Sequence, residues 1–327
     1  MATQLKTTYY KNGKDLIAFY NNKINIVLKS RISAQQKNKA IATLKYQFQV
    51  EFARLNAKYQ ADLLALIKPA APSITRKKKA LLIGINYNGQ LQGCINDVND
   101  IKAVLCNKYA FDLGNIRLLT DDAAIPIEQQ PTRALILAAF TKLLKDGEAG
   151  DLLFFAYSGH GSYTLDRNND DTGGYDEMII PSDFKRILDD ELKQLIQTYL
   201  KKNVTLFALF DSCFSGTVLD LKYQYLDSLD NNNFTENSNE AETTGNVIMI
   251  SGCTDQQTSA DAYIDKKYQG AMTWSFITTV NAQAAGGSIT WRDLLLKMRN
   301  ALKTSQFAQL PQLSSGCFMN INQSVCF

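Results

Sequence analysis

Apolar residues in this chain follow two different rhythms. In the first part they recur every three or four positions, at Ile41, Leu44, Phe48, Phe52, Leu55, Tyr59, Leu63 and Leu66. That spacing predicts one long amphipathic helix over residues 35–67. Residues 1–34 are more polar, and 14–28 reads equally as a short helix or a strand. Pro69-Ala-Ala-Pro72 ends the helical rhythm and marks a linker. From residue 79 onward, short continuous apolar runs alternate with helical spacings. Strands are predicted at 79–87, 115–119, 151–157, 177–180, 204–210 and 247–251. Helices are predicted at 97–109, 131–144, 189–199, 270–281 and 290–304. Pro131 stands where a proline opens a helix, and Asp189-Asp190-Glu191 place acids where a helix N-terminus favours them. The alternation predicts an α/β fold: a mainly parallel sheet flanked by helices on both faces, carrying an N-terminal helical extension. The Asn/Glu/Thr-rich stretch 230–246 reads as a mobile loop.

Charge divides the chain at the same place. The net charge is +3, but residues 1–79 hold 16 Lys/Arg against 3 Asp/Glu. A basic extension is therefore joined to an acidic domain. The basic helix suits a membrane surface, a nucleic-acid arm, an oligomer contact, a solvated pro-segment, or packing on its own acidic domain. No nucleic-acid partner is expected, although the extension leaves that open. No apolar run is long enough to span a bilayer, and the start M-A-T-Q-L-K-T-T-Y-Y lacks the apolar centre of a signal peptide. The six cysteines, at 94, 106, 213, 253, 317 and 326, show no C-x-x-C spacing. With a single histidine present, a structural zinc site is not expected. A reducing, cytoplasmic setting is the expectation.

Two of the apolar runs end alike. V-T-L-F-A-L-F over 204–210 stops in Asp211-Ser212-Cys213, followed by Phe214-Ser215-Gly216. D-L-L-F-F-A-Y over 151–157 stops in Ser158-Gly159-His160-Gly161, and His160 is the only histidine in the chain. Parallel strands would deliver Cys213 and His160 to one rim of the sheet, where α/β proteins place their chemistry. A thiolate and an imidazole there make a nucleophile and a proton donor. Gly161, lacking a side chain, leaves its N–H open to an oxyanion, as does the N–H of Cys213. Asp97 reads either as the N-cap of its helix or as a rim carboxylate. Arg76-Lys77-Lys78-Lys79 reads either as a solvated charge run or as a cleavable segment.

S-G-H-G at 158–161 and D-S-C-F-S-G at 211–216 resemble the paired signatures of the metacaspases, caspase-like cysteine peptidases. Blocks at 80–87, 93–98, 175–184, 187–192, 217–221 and 251–261 resemble the family in the same order, so the likeness covers about residues 79–327. Phe214 departs from it, standing where many members have a second histidine. The resemblance implies a caspase-like fold and an endopeptidase with a Cys213/His160 dyad, its oxyanion hole formed by Gly161 and Cys213. It further implies an S1 pocket of Asp97, Asp211, Ser158 and Cys94, selecting Arg or Lys in peptide and protein substrates. Ca²⁺ is implied as an activating cofactor on Asp176, Asp189, Asp190 and Asp220. Self-cleavage is implied within Arg76, Lys77, Lys78 and Lys79, and Tyr9 or Tyr10 is a candidate plug of a zymogen. The expected organisation is a type I-like monomer: extension 1–75 and peptidase domain 76–327, with a p20-like part 76–229, the loop 230–246 and a p10-like part 247–327. A non-proteolytic scaffold using the same fold is the alternative.

Overall fold

A computed structural model describes residues 2–66, 76–165, 175–213, 218–225, 234–252, 261–284, 287–325 and 327. The 69–72 linker, the acidic run 166–171, residues 214–216, Cys253 and Cys326 lie outside the described residues. The chain divides into two compact units, 1–73 and 74–327.

The first unit is a pair of helices, α1 (Ala2–Lys29) and α2 (Ala34–Leu66). The sequence marks only the second of them. α1 buries little more than Tyr9 and Tyr20, so its apolar stripe is too thin to show a period. The turn between them is set by a capping box: Ser33 N–H donates to Gln36 Oε1 at 3.0 Å, and Gln36 N–H donates to Ser33 Oγ at 3.3 Å. The Tyr9 ring stacks on Tyr59 at 4.3 Å and its hydroxyl bonds Asn56, so Tyr9 is a core residue of this unit.

The second unit runs β1 (Lys78–Gly84), α3 (Cys94–Tyr109), β2 (Ile116–Thr120), α4 (Arg133–Lys145), β3 (Leu152–Ser158), β4 (Gly161–Leu165), β5 (Tyr175–Ile179) and β6 (Ile187–Leu188). It continues α5 (Asp189–Tyr199), β7 (Thr205–Asp211), β8 (Tyr223–Tyr225), β9 (Phe234–Glu236), β10 (Asn246–Ser251), β11 (Asp261–Ile264), β12 (Lys267–Gly270), α6 (Ala271–Asn281), α7 (Trp291–Thr304) and β13 (Gln312–Ser315). Eight strands form one sheet in the order β2-β1-β3-β7-β10-β13-β8-β9. The first five are mutually parallel and the last three antiparallel. β4-β5-β6 and β11-β12 form two small antiparallel sheets.

Successive side chains of a strand point to opposite faces, and both faces of this sheet are covered. Leu152, Phe154 and Ala156 of β3 join a core with residues of α3, α6 and α7. Leu153, Phe155 and Tyr157 join a second core with residues of α4 and α5. Burial on both sides is why these strands read as continuous apolar runs. Phe207 of β7 sits among the rings of Phe154, Phe276, Trp291 and Phe327. Phe207→Ala should therefore cost about 3–5 kcal/mol, from lost transfer energy and the cavity left behind. The check is the midpoint of denaturant unfolding, and a loss under about 1 kcal/mol would contradict this packing.

Two expectations change. Residues 234–236, expected as mobile loop, form β9 against β8. The Arg76–Lys79 stretch is largely sheet: Lys78 and Lys79 pair with Leu152 and Leu153, Lys77 accepts the Leu152 N–H, and Lys78 Nζ donates to the carbonyls of Tyr109 and Phe327. Bonds after Lys78 and Lys79 lie inside a central strand, where a peptidase cleft cannot take them in extended form. Of the four candidates, Arg76 and Lys77 precede β1, and Lys77 is already tied to β3 through the Leu152 N–H. Among the described residues, no helix is long and apolar enough to cross a membrane.

Candidate active site

The site is built by register. Ser158, the last residue of β3, is paired with Asp211, the last of β7, and Ser158 is also paired with Gly84 of β1. Neighbouring strands lie about 4.8 Å apart. His160 and Cys213 are each two residues beyond that common rung, so the topology brings them to one spot on the rim. The chain beyond the rung stays tied, because Gly159 N–H donates to the Asp211 carbonyl at 3.3 Å. At Gly161 the two segments touch: a β-carbon there would run into the Cys213 carbonyl oxygen. Cys213 and His160 are both half-buried. Ile180 N–H donates to the His160 carbonyl at 3.1 Å, which makes Gly161–Ile179 a non-hydrogen-bonded pair of β4 and β5. The Gly161 N–H therefore turns away from β5.

Two tyrosines that sequence reasoning missed surround His160. Tyr87 Oη accepts the His160 backbone N–H at 2.8 Å and donates to the Ile180 carbonyl at 2.6 Å. Tyr157 Oη donates to the His160 carbonyl at 2.8 Å, and the two hydroxyls are 3.0 Å apart. The Tyr87 ring stacks on the imidazole, with centroids 4.4 Å apart and planes 32° apart. Burial pushes both phenols well above their usual range, so both keep their protons. Gly159 is confined by this pair, since a β-carbon there would lie 2.7 and 2.8 Å from the two hydroxyls. Their signal was present in Ile-Asn-Tyr87 and Ala-Tyr157-Ser, one tyrosine at or after each strand end, but a tyrosine there reads as ordinary core.

The expected pocket carboxylates are deeply buried. Asp97 does not cap its helix: α3 starts at Cys94, with Gly93 as its N-cap. The Asp97 carboxylate instead accepts the Gly270 N–H at 2.9 and 3.1 Å and the Ser158 hydroxyl at 2.7 Å. Asp211 accepts the Thr273 N–H at 2.8 Å. Gly270 is the N-cap of α6 and Thr273 lies in its first turn, so both carboxylates converge on one helix N-terminus, whose partial positive charge favours them. Cys94 is buried at the start of α3. Asp97 is thus hydrogen-bonded to Ser158 and meets Asp211 at the start of α6, and Cys94 stands one helical turn before Asp97.

A second acidic cluster lies nearby in sequence. Carboxylate oxygens of Glu177, Asp189 and Asp220 fall within 4.8 Å of one another, and all three residues are buried. Burial, then the neighbouring Glu177 carboxylate, pushes Asp189 up to about 9, against hydrogen bonds that Asp189 accepts from the N–H groups of Asp190 and Glu177. Lys193, one turn after Asp189 on α5, places its ammonium 3.5 Å from Asp220 and 2.8 Å from Glu240. Asp176 and Asp190 lie outside this group of three. Asp176 is next to Glu177 on β5 and so faces the other way, and Asp190 is about 100° around α5 from the inward Asp189. Glu177, which belongs to this group, is not among the residues that the resemblance implied.

Comparison with known proteins gives the same outline. The family model described as metacaspase, peptidase C14 domain, matches residues 78–222. Metacaspase-1 of Botryotinia fuckeliana is 38% identical over 297 residues, covering 76% of this chain and 70% of that protein. Metacaspase-1 of Emericella nidulans is 36% identical, covering 76% and 72%. The crystal structure of a protein from Geobacter sulfurreducens superposes with a TM-score of 0.54 at 24% identity, over 76% of this chain and 97% of that one, a likeness of fold.

Proposed function

We propose, from the premise that this chain belongs to the metacaspase family and is a caspase-like cysteine peptidase, that it cleaves peptide bonds after Arg or Lys with Cys213 as nucleophile and His160 as proton donor. The observation that carries the reading is the shared rung: Ser158 and Asp211 are paired, and both reacting side chains lie two residues past it.

The Cys213 thiolate attacks the scissile carbonyl carbon, forming a C–S bond and placing the carbonyl electron pair on oxygen. The N–H groups of Gly161 and Cys213 receive that oxyanion. His160 protonates the departing amine as the C–N bond breaks, leaving a thioester. Water then adds to the thioester, His160 takes its proton, and Cys213 leaves as thiolate with the new carboxylic acid. Asp97 and Asp211 supply the two negative charges that a guanidinium or ammonium at P1 would meet, as charge-assisted hydrogen bonds in a site closed from water.

Glu177, Asp189 and Asp220 fit a hard cation such as Ca²⁺: three buried carboxyl groups with oxygens in mutual reach, with the Lys193 ammonium 3.5 Å from Asp220. Bound there, a Ca²⁺ would supply charge neutralisation, not bond chemistry. Glu177 lies two residues before Ile179, the partner of Gly161, and Asp220 lies seven residues after Cys213. Drawing the three together would anchor both segments that frame the site. Asp220→Asn should raise the Ca²⁺ concentration for half-maximal activity about tenfold or more, as expected for roughly 1.4 kcal/mol of lost attraction. Activity that is indifferent to chelator in the unaltered protein would remove this part of the reading. Within Arg76–Lys79, self-processing is proposed at Arg76 or Lys77, the two candidates ahead of β1.

A further inference from the structure

We propose that Tyr87 is a positioning residue for His160, held in place by the carboxylate of Asp121, and that this tyrosine does the orienting work an acid performs in other nucleophile–histidine pairs. The inference rests on the dyad reading above and deepens it.

Tyr87 has a backbone φ of 50°, in the left-handed region that a bulky residue avoids. Such a conformation costs about 1–3 kcal/mol and persists only where neighbours over-determine it. Asp121, just past the end of β2, does so: one carboxylate oxygen accepts the Asn86 N–H at 2.7 Å and the other accepts the Tyr87 N–H at 2.6 Å. The conformation turns the Tyr87 side chain back over the sheet rim, and every polar function it has is then applied to the histidine segment. Its hydroxyl accepts the His160 N–H, donates to Ile180 and meets Tyr157, which donates to the His160 carbonyl. Both backbone groups of His160 are thereby held by phenols that cannot ionise at ordinary pH. The ring completes the arrangement by lying against the imidazole face at 4.4 Å. A ring face also favours the imidazolium that forms when His160 takes a proton, an attraction absent for neutral imidazole. A buried helical or strand tyrosine that served only as filler would need neither the strained φ nor the Asp121 clamp.

The test uses the single histidine. Full-length protein labelled with ¹³C at histidine Cε1 gives one imidazole signal, that of His160. Tyr87→Phe keeps the ring and removes the hydroxyl. Tyr87→Leu removes both. Tyr87→Phe is expected to lower kcat about 10-fold and Tyr87→Leu about 100-fold, with KM for the peptide within about twofold, since misplacing a reacting group by an ångström costs that much. The Cε1–H signal should move downfield in Tyr87→Leu, where ring shielding is lost, and move less in Tyr87→Phe. Unaltered kcat with an unmoved signal in both variants would overturn the proposal. If either variant fails to fold by near-ultraviolet circular dichroism, Asp121→Asn carries the test, because an amide can accept only one of the two N–H groups. A kcat loss of about 10-fold supports the coupling and an unaltered kcat overturns it. His160→Ala separates the two readings: an active His160→Ala sinks the dyad itself, whereas an inactive one beside fully active Tyr87 and Asp121 variants sinks only this inference.

Discussion

Cys213→Ala is expected to abolish peptide hydrolysis, a loss of about a million-fold if this dyad behaves as nucleophile and base pairs do elsewhere. His160→Ala should fall nearly as far, and the double variant should lose no more than either alone, because the two act as a unit. The non-additivity is the informative part. A nucleophile and a proton donor that share one step give one loss, while two residues that each merely supported the fold would add. The measurement is kcat/KM on a fluorogenic peptide ending in arginine, with calcium present and with folding confirmed for each variant. Retained turnover in Cys213→Ala would move the chemistry elsewhere and undo the site built on the Ser158–Asp211 rung.

Asp211→Asn should reduce kcat/KM for arginine at P1 about 1,000-fold, the range expected when one desolvated charge loses its partner. Asparagine is the sharp choice because its Oδ1 can still accept the Thr273 N–H that Asp211 holds at 2.8 Å, so the start of α6 keeps its cap. The control is citrulline at P1, the same shape without the charge. It should be a poor substrate for the unaltered protein and change less than about tenfold in the variant. An equal fall for arginine and citrulline would mean that Asp211 serves the fold of the rim and not the pocket. Cleavage after aspartate would sink the pocket assignment of both Asp97 and Asp211.

Much of this site is legible in the sequence because the sheet is parallel and covered on both faces. Runs such as 151–157 and 204–210 are apolar throughout, and the residues just past each run must emerge at the rim. Cys213 and His160 therefore announce themselves. The illegible part is of two kinds. The last three strands of the sheet order, β13, β8 and β9, are three or four residues long, and short polar pieces such as Phe-Thr-Glu in β9 carry no alternation to read. Side-chain direction is the other. Asp97 lies one turn inside α3, yet its carboxylate is used by Gly270, 173 residues away. Glu177 and not Asp176 meets Asp189 because neighbours on a strand face opposite ways, and the motif alone does not say which faces in. Tyr87 is harder still, since its role depends on a left-handed φ fixed by a carboxylate 34 residues later.

The paired ends of β3 and β7 have a consequence for how the protein comes into being. A slip of one residue between these strands would displace Cys213 by about 3.3 Å and send alternate side chains to the wrong face. A misregistered molecule is then inert, whatever its compactness or helix content. The two strands lie 53 residues apart in the chain, and such non-local parallel pairing forms slowly. A newly made or refolding chain therefore passes through collapse and helix formation without being able to cut its neighbours. Recovery of peptidase activity during refolding would thus report strand registration, and should lag behind recovery of helical signal.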